Sequence, residues 1–509
     1  MKSDPEPGVR FLRITDLYSP FDRDPLHTFP LEGHRRLIGA LGHRHMNISI
    51  HDTYAFWTLN RTAVFFRTAY ARIVVTFDPV HFDGIARIAR RIAPAVDEGE
   101  QQAIAETVWN DFLDPLLDAD GRAVLEPLDD GARTAVDITG IAAEDPPYPT
   151  QHGIDSGTIN PTTFKNGLVI DVAQAAMAAD PSDLDLHRER TIVTTVHGPG
   201  QAIPEREDSL DSGYATSHTL RAPPVSRFEE SVVHELALYL AESRHARERI
   251  DRVDDLLILD GPIYPKGMLN WADRDPELAD LLYDEPQPRD VVTNYVRLVE
   301  ETVQRDVPLL GVVKNPASRA LTRTLTERPN APDPHWVNDT AFFTRILERV
   351  EFVEARDQHG DRVRIRERND DDLTATGWFR SRGGADRLLA ADENALGIPR
   401  TLDPADYEVT FFAVYDPRDD LLYRVEAPFA VTCDPDERDR LRRQVLHDVA
   451  VERGPPPAVG KADQLARIDR AGTRAIRAEF ERVLETDEQS TYDDHRWGLE
   501  ARGPPDRGR

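Results

Sequence analysis

Between residues 151 and 350 the apolar segments come in an order that few folds accommodate. HGIDSGTINP (152–161) reads as a short strand ending in a turn, and GLVIDVAQAAMA (167–178) and RTIVTTVHG (190–198) read as the next two strands. Residues 227–249 have helical spacing, with Phe228, Val232, Leu236, Tyr239 and Leu240 on one face. DDLLILDGPI (254–263) is a strand, RDVVTNYVRLVEETVQRD (289–306) a helix, and PLLGVVKN (308–315) another strand. The unbroken apolar runs LLIL and LLGVV fit strands covered on both faces.

Three strands, helix, strand, helix, strand is the order of a ribonuclease-H-like α/β fold: a mixed sheet with flanking helices. We take residues 151–350 as this core. Residues 351–486 are expected to add a β-rich insertion and a closing helix to the same domain. Its strands are VEFVEAR, RVRIRER, YEVTFFAVYDP and LLYRVEAPF, the last two forming a hairpin around Asp416–Asp419. Ahead of the core, residues 75–150 read as a helical segment, with Ile85, Ile88, Ile92 and Val96 at spacings of three and four, followed by a polar linker over 118–150. Residues 487–509 read as a disordered tail.

Charge divides the chain. The formal net charge is −29, and of 62 Lys+Arg only five are lysine. An acidic, Lys-poor, Arg-rich surface looks like adaptation to a salt-filled cytoplasm, as in halophilic archaea, so the acidity says little about the ligand. Residues 1–74 carry +3 and the remainder −32. Selection for acidity should act on every solvated segment, so this mismatch reads as a gene start placed too far upstream; the competing reading is a basic arm that contacts DNA or a partner. The single cysteine, Cys433, excludes an internal disulfide. No run approaches the ~18 apolar residues of a membrane span, and MKSDPEPG lacks the features of a signal peptide. The expectation is a cytoplasmic protein without a membrane segment.

Two motifs share one form, an apolar strand ending in Asp and then Gly: Gly153-Ile154-Asp155-Ser156-Gly157 and Leu257-Ile258-Leu259-Asp260-Gly261. Asp at the carboxyl end of a buried strand lies where α/β sheets place ligands. The glycine is expected to let the chain turn sharply. On neighbouring strands the two carboxylates can share a hard divalent cation, Mn²⁺ or Mg²⁺, which activates water for phosphodiester cleavage. A turn-capping role is the plainer alternative. A third carboxylate is expected from helix 227–249: Glu235 is preferred, with Glu229 and Glu242 left open. Lys314, ending the strand 309–313, is placed to hold a phosphate. Asp339 is either a further acidic group or a helix cap. Trp378, Phe379, Arg380 and Arg382 mix aromatic and basic character and are read, weakly, as a DNA contact.

The pieces GIDSGTINPTTFKNG, LLILDGPIYPKG, LLGVVKN and the closing segment Gly454–Ala471 resemble the archaeal, and with this charge style haloarchaeal, NurA nuclease family over roughly residues 75–486. The resemblance implies a manganese-dependent nuclease that resects DNA ends 5′ to 3′ during double-strand-break repair. It also implies a homodimer docked on a HerA-type hexameric helicase. Asp155, Asp260 and a helix Glu, here Glu235, take its metal-binding positions. One departure stands out: the family's closing Tyr-Pro-x-x-Leu-x-x-Ala-His reads here Pro455 to Asp463, so the Tyr and His roles do not carry over, although Asp463 remains able to bind metal or order water. The alternative function is a non-catalytic ribonuclease-H-like DNA clamp or helicase regulator. A dimer requires an apolar surface, for which segments 407–429 and 461–486 are the candidates.

Overall fold

The computed structural model describes residues 79–92 and 98–490, apart from 130, 199–205, 210–213, 329, 335 and 357–361. The reading of residues 1–74 lies outside them.

One large mixed sheet organises the chain. In its interior, β1 (Gln151–Thr158) pairs antiparallel with β2 (Val169–Asp180), and β2 pairs antiparallel with β3 (Arg190–His197). On the other side of β1 lies β5 (Leu257–Leu259), parallel to it, and then β6 (Leu309–Val313), parallel to β5. Helix α1 (Glu229–Glu248) links the antiparallel half to β5, and α2 (Pro286–Gln304) links β5 to β6. The expected series over 151–313 is thus the observed one, in the spatial order β3-β2-β1-β5-β6. A strand absent from the sequence reading, β4 (Ala215–Arg221), pairs parallel with β3.

Of the β-rich stretch, Val350–Arg356 and Arg362–Arg368 form a separate antiparallel pair, and the remainder extends the large sheet. β7 (Val409–Asp416) and β8 (Leu421–Pro428) form the expected hairpin, and β8 pairs antiparallel with β6. Segment 118–150 is not a linker. Its strand Ala123–Pro127 pairs with Phe379–Ser381, and Arg133–Asp137 pairs with Asp372–Thr376. Its polar sequence misled because both strands lie towards the margin of the sheet, and in Arg133–Asp137 alternate residues reach solvent.

Helix α1 buries Val232, Val233, Leu236, Ala237, Leu240 and Ala241 against one face of the sheet, together with α2. The other face is covered by α3 (Pro435–Glu452) and α4 (Pro457–Ala466), with Leu441, Val445, Val449 and Val459 buried against Ile258, Leu310 and Val425. The last helix, α5 (Arg470–Leu484), rests Phe480 and Leu484 on Phe164, Ile170 and Val196. Residues 487–490 pair with the core, Lys165 N–H donating to Asp487 O and Gln489 N–H to Thr163 O, while the rest of the expected tail, 491–509, lies outside the described residues.

Segment 407–429 exposes little apolar surface apart from Leu421, since every residue of β7 and the rest of β8 are buried within the chain. No helix among the described residues is long and apolar enough to cross a membrane.

Candidate metal centre

Asp155, Asp260 and Asp463 converge, one carboxylate oxygen of each lying within 4.8 Å of the others. The backbone explains the first two. β5 runs parallel to β1 with Leu259 opposite Ile154, and the Asp260 N–H donates to Ile154 O at 2.9 Å. Asp260 follows the last residue of β5, and Gly261 turns the chain out of the sheet with φ 144°, a conformation that side chains disfavour.

Asp155 departs from expectation. It lies inside β1, which continues to Thr158, so Gly157 makes no turn. Gly153 and Gly157 instead let α4 lie directly on the strand: a Cβ at Gly153 would stand 2.3 Å from the Ala458 carbonyl carbon, and one at Gly157 2.5 Å from Ala466 O. That close approach brings Asp463 of α4 to Asp155. Sequence reasoning had left Asp463 open; the glycine spacing on β1 was the signal that a helix would sit there.

Lys314, one residue past β6, donates from Nζ to Asp260 Oδ2 at 2.6 Å. It offsets only part of the negative charge. Burial, followed by the charges of Asp260 and Asp463, pushes Asp155 up to about 7, although the Ser156 N–H and Lys314 pull the other way. Burial also raises Asp260, against the Lys314 hydrogen bond and charge.

The helix carboxylate nearest this cluster is Glu242. It is buried, accepts from Tyr295 O–H at 2.7 Å and from the Ser156 hydroxyl at 3.4 Å, and is pushed up to about 8 by burial, with Asp155 and Asp260 contributing. Glu235, the preferred residue, is not brought to the cluster. It accepts from the Ser231 hydroxyl at 3.3 Å and faces Gly267 and Tyr239. The two glutamates share a helical stripe, being seven residues and so roughly 10.5 Å of axis apart. Periodicity selects the stripe; only tertiary packing selects the turn. Glu229 opens α1, further still from Glu242.

Several other candidates have structural roles. Trp378 and Phe379 are each 1% exposed, so neither ring is available to a base; Trp378 Nε1 donates to Arg438 O, and Phe379 stacks on Phe411. Arg380 and Arg382 both neutralise the buried Glu408. An aromatic-basic run on a strand next to buried acids reads like a binding loop until the sheet is known. Asp339 is a cap, though not of its own helix: it accepts from Leu321 N–H, Thr322 N–H and the Ser318 hydroxyl, and so closes the start of helix Ala320–Glu327. Lys165 pairs with Asp487, and Lys266 with Asp386 and Glu426.

The donor set of the cluster is all oxygen, and it crowds like charges that a bound cation would relieve. These features suit a hard divalent ion such as Mn²⁺ or Mg²⁺. Asp155, Asp260 and Asp463 are placed to hold it, with Glu242 one hydrogen bond away through Ser156.

Comparison with curated proteins gives no match. Among solved structures the chain is similar to the NurA nuclease from Sulfolobus solfataricus, at 11% identity and a TM-score of 0.42, covering 80% of this chain and 98% of that one. It is also similar to a NurA crystal structure with manganese (9% identity, TM-score 0.34, 67% and 90% covered) and to one bound to dAMP and manganese (10%, 0.31, 79% and 97%). The NurA domain model matches residues 149–468, which spans every residue of the carboxylate cluster, and the chain belongs to the NurA domain family.

Proposed function

We propose that the chain is a metal-dependent deoxyribonuclease, with the carboxylates of Asp155, Asp260 and Asp463 as metal ligands. The observation that carries this reading is their approach to within 4.8 Å beside the Lys314 ammonium. When bound, the metal supplies an activated water and stabilises the leaving oxygen. The protein's part is to hold the ligands on rigid elements and to present a cation to the scissile phosphate. Lys314 is split between these tasks, since its partner Asp260 is itself a ligand. Mn²⁺ is the family's ion, and the all-carboxylate set here extends the reading to Mg²⁺.

The same reading takes DNA ends in double-strand-break repair as the substrate, with 5′-to-3′ exonuclease and single-strand endonuclease action. It takes a second copy of the chain and a HerA-type hexameric helicase as partners, in the cytoplasm. The test uses end-labelled single- and double-stranded DNA with Mn²⁺ or Mg²⁺ in molar salt. Metal-dependent cleavage, lost on chelation and in Asp155→Ala and Asp260→Ala, is expected. Full activity in either variant, or none in the wild type with either metal, overturns the proposal.

A further inference from the structure

Beside the carboxylate cluster, α1 carries a second polar group that the cluster does not use. Asp171 of β2 is wholly buried, and His234 of α1 bonds it through Nδ1 at 2.9 Å. The Val172 N–H donates to Asp171 at 2.8 Å, and the Thr158 hydroxyl adds another bond. The Asp171 contact fixes the ring's orientation and leaves Nε2 as its outer nitrogen. The His234 side chain is 34% exposed, and among the described residues nothing bonds Nε2. A buried carboxylate spent on orienting a half-exposed imidazole is costly if the imidazole then meets only solvent.

One turn earlier on α1, Ser231 accepts from Arg274 Nη1 at 3.2 Å. Arg274 is exposed and lies over the Phe228 ring at 5.2 Å, and among the described residues it forms no ion pair. Held by a hydroxyl and a ring and exposed to solvent, its guanidinium is placed to meet an anion. Its acidic neighbour is Glu235, whose carboxyl pKa burial raises and the Arg274 charge pulls back down. Glu230, one turn before His234, is engaged by the Thr163 hydroxyl.

The spacing to the cluster follows from the elements. His234 lies eight residues from Glu242, about 12 Å along the helix. Thr158, which touches Asp171, lies three residues from Asp155, about 10 Å along β1. That separation corresponds to roughly three stacked nucleotides at about 3.4 Å each. We infer that His234 and Arg274 form a subsite for the sugar–phosphate backbone of a single strand, about three nucleotides from the bond cleaved at the carboxylate cluster. Asp171 is its positioning residue. The inference rests on the nuclease reading and adds to it the path of the strand.

The test measures binding of single-stranded oligonucleotides to the full chain without divalent metal, so that it does not depend on cleavage. Arg274→Gln, at an exposed position, should melt like the wild type, and His234→Gln, which takes the imidazole from the buried Asp171, is compared at a temperature where its melt shows it folded. Each should weaken binding about tenfold or more, the effect of losing one charge-assisted contact. Each should also flatten the slope of log affinity against log salt by about one. Neutral methylphosphonates are then walked along the strand. In the wild type one position, about three nucleotides from the cleaved bond, should weaken binding; in His234→Gln the same position should have no further effect. Asp171→Asn should reproduce the His234→Gln pattern. Additive losses at every position, or unchanged affinity in both variants, overturn the subsite and leave the nuclease reading standing. Failure of the wild type to bind any oligonucleotide overturns both.

Discussion

Two groups of charges lie on either side of β6, one buried and one half-buried and open to solvent at Asp463, and they are built on opposite rules. On the β8 side, Asp386 and Glu426 are met by Lys266 and Arg424, two acids against two bases, and Ser381 donates to Asp386 at 2.6 Å. The facing cations hold Asp386 below its ordinary pKa despite complete burial. On the β5 side, Asp155, Asp260, Asp463 and Glu242 have Lys314 as their cation, and Asp155 and Glu242 rise to about 7 and 8. Folding alone favours the matched arrangement, because an unpaired buried charge is expensive. The unmatched group is tolerated where a ligand supplies the missing charge, and perturbed carboxyls in such a setting mark a functional site. Matched charge thus identifies a brace and mismatched charge a site, although both are made of the same residue types.

The sharpest test of this contrast exchanges charge in each group. Asp155→Asn and Asp260→Asn should lower cleavage by more than about 100-fold, the loss ascribed to outer-shell partners of a metal alone. Without metal, both should melt at or above the wild-type temperature, since they relieve repulsion. Glu426→Gln should do the reverse, destabilising the fold by about 3–5 kcal/mol because it strands a buried cation. A calorimetric series in which Asp155→Asn unfolds the protein and Glu426→Gln does not would break the comparison.

A smaller effect comes from pH. For Asp155 and Glu242 the folded pKa lies above the unfolded value near 4, so between about pH 4 and pH 8 the metal-free folded state binds more protons than the unfolded chain. Their contribution therefore weakens as pH rises through that window. Asp386 has the opposite sign: its stabilisation is present above pH 4 and is lost on acidification. Divalent metal should remove the first trend, bind more tightly as pH rises from 6 to 8, and release protons on binding. Thermal melts across this range, with and without Mg²⁺, should give curves that diverge towards high pH. Parallel curves would mean that the cluster does not take the metal.

What the sequence disclosed follows the same physics. The order of strands and helices was legible because each apolar run is continuous, and Asp260 because its strand stops where its glycine turns. Lys314 was legible as a rare lysine at a strand end. The rest needed tertiary contacts. Glu235 and Glu242 are equivalent by periodicity, and only packing of α1 against β1 separates them. Asp463 lies more than 300 residues from Asp155 in sequence and is joined to it by two glycines whose purpose, seating α4, is invisible without the helix. Trp378 and Phe379 carried the composition of a binding loop, yet they fill the core.

The smallest expected effect concerns Asp463, the most exposed of the three clustered aspartates. It stands where the resemblance calls for histidine, so this chain has an oxygen donor where an imidazole nitrogen is expected. Oxygen donors favour Mg²⁺ and Mn²⁺ alike, whereas imidazole shifts preference towards transition metals. Asp463→His keeps a donor on α4 and removes one negative charge from the Asp155 environment. Cleavage with Mn²⁺ should then stay within about tenfold of wild type, the lower end of the loss from outer-shell changes. Cleavage with Mg²⁺ should fall further, so the Mn²⁺/Mg²⁺ activity ratio rises. The Asp155 pKa should also drop, moving the onset of metal binding to lower pH, because one of the charges that raises it is gone. Asp463→Ala separates donor from charge: it should share the pKa change but lose affinity for both metals. If Asp463→His is as inactive as Asp155→Asn, the exposed carboxylate is no more replaceable than the two strand aspartates; if its metal ratio is unchanged, Asp463 is not a ligand and acts on the site only through its charge.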